Sequence, residues 1–255
     1  MIRVAVAGCA GRMGQAVVDA VNGANDMELI CGIDPYATDG CTYPVYDDVA
    51  SAIAAEEFDV MVDFTQPDVV AGNIREALPA GVDCVIGTTG LSNETLDELA
   101  ALAPAGTCLF VAPNFTVGAV LMMRFAEMAA PYLAEAEVIE FHHARKKDAP
   151  SGTAKRTAEI IAAARESAPS VPGRESELPG CEGARGAEIQ GVPVHSVRSM
   201  GYVASQEVIF GSMGQSLTIR HDSWDRSSYM PGVLLAVRKV RDCEGLIVGL
   251  EHFMF

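Results

Sequence analysis

Three glycines at three-residue spacing, Gly8, Gly11 and Gly14, stand directly behind the apolar run Arg3–Ala7. Glycine at these points allows a tight strand-to-helix turn, close approach of the backbone to a pyrophosphate, and close packing of helix on strand. The next apolar run, Glu28–Ile33, closes on Asp34, where a carboxylate accepts hydrogen bonds from ribose hydroxyls. The spacing G-x-x-G-x-x-G is a variant of the usual fingerprint, and alone it also fits a glycine turn that serves packing only. Strand, glycine loop, helix, strand and Asp in this order select a dinucleotide site.

The rest of the first half repeats that alternation. Strands are predicted at Arg3–Ala7, Glu28–Ile33, Val60–Phe64, Asp83–Ile86 and Cys108–Val111, and helices at Gly11–Val21, Val49–Ala55, Val69–Ala80 and Asn93–Ala101. This is the pattern of a parallel sheet with helices on both faces. Pro67 stands where a first-turn proline is expected, and Ser92 where an N-cap is.

The texture changes after Asn114. A helix over Val117–Leu133, a strand over Glu137–His142 and a helix from Thr153 to Ala164 are predicted; residues 165–191, rich in Pro, Gly and Glu, read as a long exposed loop. Strand-like runs follow at Val194–Arg198, Gln206–Phe210 and Ser216–His221, with a Gly211/Gly214 turn between the last two. Strands grouped this way predict a mixed or antiparallel sheet in a second domain. Sheet faces left uncovered by their own chain favour association between copies. A helix over Tyr229–Val240 and a strand over Leu246–Leu250 are expected to pack back on the first domain. The fold class expected is α/β: a Rossmann-like doubly wound parallel sheet with a second α+β domain carrying a mixed or antiparallel sheet.

Size and charge narrow the function. A chain of 255 residues with 49% hydrophobic and 20% charged residues holds one large domain or two modest ones. Its formal net charge of −16 argues against nucleic acid or an anionic membrane surface as partner. No apolar run approaches the roughly 18 to 20 residues of a membrane helix. The N-terminal apolar run is too short for a signal peptide and reads as the first strand. Cys9, Cys31, Cys41, Cys84, Cys108, Cys181 and Cys243 are scattered, with no C-x-x-C pair. They predict small core residues in a reducing cytoplasmic setting, with neither a disulfide framework nor a metal site.

In so acidic a chain, the stretch from Glu140 to Thr153 gathers His142, His143, Arg145, Lys146 and Lys147 just before a helix-start signal, Ser151-Gly152-Thr153. Cations beside a helix N-terminus make a place for a small anion, and two His add groups that move protons near neutral pH. A charge run alone reads as a solvated basic turn; the adjacent His pair and the helix start favour a site. Hydride transfer to a C=C or C=N bond leaves a centre that must be protonated, and His142 and Lys146 are the candidate acids. His143 and Lys146 suit a carboxylate, with Ser151, Gly152 and Thr153 as a cradle. Whether Lys146 or Lys147 points inward is left open. His195, His221 and His252 stand singly and are read as structural.

Two more turns belong to the cofactor half. Gly87-Thr88-Thr89-Gly90 and Ala112-Pro113-Asn114-Phe115 end strands, and ligands of open α/β sheets lie at the carboxyl ends of strands. Both turns are therefore expected to meet the nicotinamide half of a dinucleotide. Asp34 accepts from a free 2′-hydroxyl and repels a 2′-phosphate, and its neighbour is Pro35 rather than a cation. NADH is expected in preference to NADPH, with Arg12 as the loop residue able to reach a phosphate. An amino-acid dehydrogenase or a non-catalytic NADH sensor would share this half. The His-His-x-x-Lys cluster argues against the sensor.

Taken together, these motifs resemble the dihydrodipicolinate reductase family of bacterial lysine and diaminopimelate synthesis. The likeness runs from Val6–Gly14 through Gly87–Gly90, Ala112–Phe115 and Glu140–Ala154 to Gly191–Arg198 and His221–Gly232. It implies NAD(P)H-dependent reduction of 4-hydroxy-tetrahydrodipicolinate, a small dicarboxylate, with His142 as proton donor and Lys146 as a second one. It implies substrate contacts from His143, Gly152 and Thr153, and cofactor contacts from Gly8, Cys9, Ala10, Gly11, Arg12, Met13, Asp34, Gly87, Thr88, Thr89, Ala112, Pro113, Asn114 and Phe115. It further implies a dinucleotide-binding domain of residues 1–113 and 227–255, and a substrate-binding and oligomerisation domain of residues 114–226. A hinge between them and a homotetramer built through the second domain's sheet are also implied. Relatives that use either cofactor often carry Arg after the acidic residue, where this chain has Pro35.

Overall fold

The apolar runs of the first half are buried along nearly their whole length, as a parallel sheet covered on both faces requires. The computed structural model describes residues 1–37, 40–133, 135–165 and 177–255. They form two compact units, Met1–Val117 with Arg226–Phe255, and Gly118–Asp225.

The first unit is a seven-stranded, wholly parallel sheet. In chain order its strands are β1 (Ile2–Ala7), β2 (Met27–Ile33), β3 (Val45–Tyr46), β4 (Val60–Asp63), β5 (Asp83–Ile86), β6 (Cys108–Val111) and, from the end of the chain, β12 (Gly245–Val248). Their order across the sheet is β12-β6-β5-β4-β1-β2-β3. The chain leaves β1 in one direction for β2 and returns to its other side for β4. The switch point beside β1, where doubly wound sheets take ligands, is fixed by this order.

Helices α1 (Arg12–Asn22), α2 (Val49–Ala55), α3 (Val70–Ala77) and α4 (Asn93–Ala100) join the strands. The last of them starts at Ser92, whose side chain accepts the Thr95 amide hydrogen as expected. Pro67 behaves differently from the expectation. It lies in a turn before α3, where the amides of Val69 and Val70 both donate to the Gln66 carbonyl, and the helix begins only at Val70. Residues 78–80, expected as helix, form a 3₁₀ turn. Pro79 lacks the amide that a further α turn would need. Buried side chains of α2, α3 and α4, such as Ala52, Ile74 and Leu99, share one core with Ala5, Met61, Cys84 and Leu109.

The second unit pairs a mixed five-stranded sheet with two helices. Helix α5 (Val117–Ala129), which begins at the last residue of the first unit, leads to β7 (Glu135–His142). Then follow α6 (Gly152–Ala164), β8 (Ala187–Ile189), β9 (Val192–Arg198), β10 (Ala204–Ser212) and β11 (Gln215–Ser223). The strand order is β11-β10-β7-β9-β8. Strands β7 and β9 run parallel and the other neighbours antiparallel. Met122, Ala126, Ala154, Ala158 and Ile161 from the helices pack on Val138, Val194, Val208 and Phe210.

Two short strands depart from the expectation. β3 stands in a stretch left unassigned, and β8 interrupts the stretch 165–191 expected as loop; residues 166–176 of that stretch lie outside the described residues. Only Gly214, at φ +75°, sits in the β10–β11 turn, while Gly211 pairs within the sheet. The chain then returns to the first unit through a 3₁₀ turn and α7 (Met230–Val240), and ends in a 3₁₀ turn over Leu250–Phe253 after β12. Gly232 of α7 is needed for close approach: a Cβ there would lie 1.9 Å from the Phe115 carbonyl oxygen. Among the described residues no helix is long and apolar enough to cross a membrane.

Candidate functional site

In the first unit, the carboxyl ends of β1, β2, β4, β5 and β6 gather the residues expected to hold a dinucleotide. Gly8 leaves β1 at φ +79°, a conformation that favours glycine. Its amide donates to the Ile33 carbonyl at 2.8 Å, and its carbonyl accepts the Gly11 amide at 3.0 Å. A Cβ on Gly14 would lie 2.0 Å from that same Gly8 oxygen, so the loop and the first turn of α1 close only with glycine.

Helix α1 opens on Gly11 with no side chain capping it and no acidic residue in its first turn. A helix start without a side-chain cap or an acidic first turn suits a diphosphate. Arg12 is exposed on this turn and Met13 half-buried. Asp34 fastens the loop to the end of β2: its carboxylate accepts the amides of Ala10 and Tyr36, both at 3.0 Å. Pro35 and Tyr36 beside it are exposed, and no cation follows the carboxylate.

Other expected residues contribute backbone rather than side chain. Cys9 is buried, with its sulfur against Gly32; burial, reinforced by the charge of Asp34, pushes its thiol pKa up. Thr88 is buried and donates its hydroxyl hydrogen to Asp63 at 2.8 Å, while Thr89 and Gly90 are exposed and Gly87 is half-buried. A side chain on Gly87 would run into the Phe64 ring.

Asp63 is an organiser that the sequence pattern hid inside an apolar strand. Fully buried, it also accepts the amide and hydroxyl of Thr65 and the amide group of Asn73. In the last turn Ala112 is buried and Pro113 exposed. Asn114 accepts the Thr116 amide at 2.8 Å, and the Phe115 ring sits 5.6 Å from Phe64 and 6.0 Å from Phe110.

In the second unit, strand alternation places Ala136, Val138, Glu140 and His142 on the face of β7 that meets the helices. Glu140 has no solvent exposure. Both of its oxygens accept from the Arg198 guanidinium at 2.8 Å, one accepts the Ser151 amide at 3.2 Å, and the other pairs with Nδ1 of His142. Burial by itself would push this carboxyl up; hydrogen bonds from His142, Arg198 and Ser196 outweigh it and hold the pKa at about 2.

Arg198 also donates to the Asp148 carbonyl at 2.7 Å, and Asp148 pairs with Nζ of Lys146 at 2.9 Å. His142 and Lys146 thus belong to one connected network. Lys146 is half-buried and its amide donates to the His143 carbonyl; His143, Arg145 and Lys147 are exposed.

Ser151 is buried and its hydroxyl accepts the Ala154 amide, so that oxygen caps α6. Gly152 is exposed and Thr153 half-buried at the helix start. Glu140 and Arg198 were not singled out from sequence. The available signal was an acidic residue in the buried phase of an alternating strand. Of the three single histidines, His195 pairs with Glu137 at 2.8 Å, His221 is half-buried and His252 is exposed.

The model of the dihydrodipicolinate reductase N-terminus matches residues 2–115, and that of the C-terminus matches residues 118–254. The chain belongs to the dihydrodipicolinate reductase family. It is 47% identical to the 4-hydroxy-tetrahydrodipicolinate reductase of Mycolicibacterium vanbaalenii and 46% identical to that of Mycolicibacterium smegmatis, each over 99% of both chains. Among solved structures it is similar to a dipicolinate-bound dihydrodipicolinate reductase from Paenisporosarcina sp. TG-14, with a TM-score of 0.89, 42% identity and 99% coverage of both chains. An amine dehydrogenase from Mycobacterium smegmatis, at 14% identity and a TM-score of 0.68, shares the fold. As in any reductase of this family, the cofactor is a nicotinamide dinucleotide and the substrate a small molecule.

The depressed pKa of Glu140 makes its contribution to stability pH-dependent. A carboxylate held below its usual 4.5 stabilises the fold fully above that value, and the contribution is lost as pH falls toward about 2. The melting-temperature gap between the unsubstituted protein and Glu140→Gln should therefore be widest above pH 4.5 and shrink on acidification. A gap that stays constant from neutral pH to pH 3 would contradict this account.

Proposed function

We propose that this chain reduces 4-hydroxy-tetrahydrodipicolinate to tetrahydrodipicolinate in lysine and diaminopimelate biosynthesis. The carrying observation is the His142–Lys146 network beside the start of α6, in a chain nearly half identical over its length to reductases of that name. A relative that binds dipicolinate, a planar dicarboxylate, supports the same substrate class here. The family pathway and seven unpaired cysteines support a reducing cytoplasmic setting.

Each group of residues then has a task. Gly8, Cys9, Ala10, Gly11, Arg12 and Met13 offer the amide-lined turn for a diphosphate, and Asp34 takes ribose hydroxyls. Gly87, Thr88 and Thr89, with Ala112, Pro113, Asn114 and Phe115, border the nicotinamide half at the ends of β5 and β6. The nicotinamide group supplies a hydride from C4 when bound. The net change takes up that hydride and one proton and releases the substrate's 4-hydroxyl group as water; His142 delivers the proton, and Lys146 is a second donor that also offsets negative charge on the substrate. His143 and the start of α6 at Gly152 and Thr153 hold a carboxylate, where the helix dipole favours an anion. Residues 1–113 with 227–255 serve the dinucleotide, and residues 114–226 serve substrate and assembly.

Assembly is proposed through the sheet of the second unit. On its face away from α5 and α6, Ile139, Phe141, Val197 and Ile209 stand half-buried or exposed, an apolar surface suited to another copy. A homotetramer is expected, and light scattering on the purified protein should return the mass of four chains; a monomeric mass would refute it.

Activity is tested by following NADH absorbance while aspartate semialdehyde and pyruvate are condensed to the substrate. Turnover is expected with the native chain. His142→Gln or Lys146→Ala should lower kcat by roughly 10²-fold or more, the size of a lost general acid; unaltered turnover in both would refute the assignment. Asp34 followed by Pro35 predicts a higher kcat/KM with NADH than with NADPH. Side-by-side kinetics showing an NADPH preference would overturn that assignment.

A further inference from the structure

We infer that Glu140 is a positioning residue for His142, fixing the ring's tautomer and direction, with Arg198 as the counter-ion that lets this carboxylate be buried. The inference rests on the proposed role of His142 as proton donor. Glu140 cannot touch substrate, because it has no solvent exposure. Its oxygens already accept from two nitrogens of Arg198, the Ser151 amide, His142 Nδ1 and the Ser196 side chain.

An ionised carboxylate only accepts, so Nδ1 of His142 carries a hydrogen in both charge states of the ring. The proton that the ring gives up therefore leaves from Nε2. After it leaves, the neutral ring keeps its Nδ1–H bond and its orientation. Glu140 stays ionised through this cycle, its pKa being held at about 2.

The charged groups around the pair come from every neighbouring segment. β9 supplies Arg198, and the loop after β7 supplies Lys146 and Asp148. The start of α6 gives the Ser151 amide, and β10 places the neutral Gln206 opposite Glu140. Arg198 is the permanent cation in direct contact with the carboxylate, and its own pKa is raised chiefly by the hydrogen bonds it donates to Glu140. The sequence explains the geometry: Glu140 and His142 are two apart on one strand and so share a face. Parallel pairing of β7 with β9 sets His142 opposite Arg198.

The test is a double-substitution cycle on the full chain with steady-state kinetics. Glu140→Gln should lower kcat by roughly 10- to 100-fold, the usual effect of losing the partner that orients a functional His, with KM nearly unchanged. In a His142→Gln background the same substitution should lower kcat no further, because its effect passes through the ring. An equal further loss in that background would overturn the inference while leaving the proton-donor role intact. Unaltered turnover of His142→Gln would instead refute the proton-donor role. Should Glu140→Gln fail to fold, NMR of nitrogen-labelled histidine in the unsubstituted protein decides. The neutral His142 ring is expected to hold its hydrogen on Nδ1, and a hydrogen on Nε2 would overturn the inference.

Discussion

A carboxylate without solvent exposure lies at the centre of the second unit, and the local chain path is built to keep it charged. Taking an ion such as Glu140 out of water costs several kcal/mol unless partners replace its hydration. A bidentate guanidinium, a histidine and a backbone amide replace it. Those partners come from β9, from the end of β7 and from the start of α6, so one charge ties three segments together. Removing Arg198 alone would leave a buried anion without its permanent counter-ion, which is more damaging than removing a surface ion pair. The basic loop between β7 and α6 is held at both ends by this arrangement, with His142 at one end and Ser151 at the other.

The first unit solves a different problem, the approach of backbone to backbone. Its strands are mostly apolar because both faces of the sheet are covered, and the polar residues that shape the ligand-side loops, Asp34, Asp63 and Thr88, stand at the strand ends. There the glycines set the spacing: a single added carbon at Gly14 would overlap the Gly8 carbonyl. Asp34 works in two directions at that edge. Its oxygens pin Ala10 on one side and Tyr36 on the other, which shapes the loop.

How far the sequence could be read depended on the range of the interaction. The glycine loop, the Ser92 and Ser151 caps and the long buried strands are local signals, each spelled within a few residues, and they were legible. Pro67 was misplaced because its effect on α3 runs through a turn at Gln66 that no periodicity marks. Strands β3 and β8 are two and three residues long, too short for alternation to register, and they exist because a neighbouring edge offers hydrogen bonds. Thr88 was expected to meet the nicotinamide half. Whether its hydroxyl faces outward or is spent within the fold depends on Asp63, which lies 25 residues away and which the local sequence does not reveal.

By itself the sequence determined the parallel sheet, the dinucleotide turn and the presence of a basic, histidine-bearing loop before a helix, because periodicity, glycine and capping act over one or two turns of chain. Tertiary structure alone decided that Glu140 and Arg198, 58 residues apart, would meet. It also decided that Lys146 rather than Lys147 would be drawn in beside Asp148. The first outcome follows from the register of β7 against β9, and a hydrogen-bonded register across a sheet is a property of two strands together that neither spells out alone.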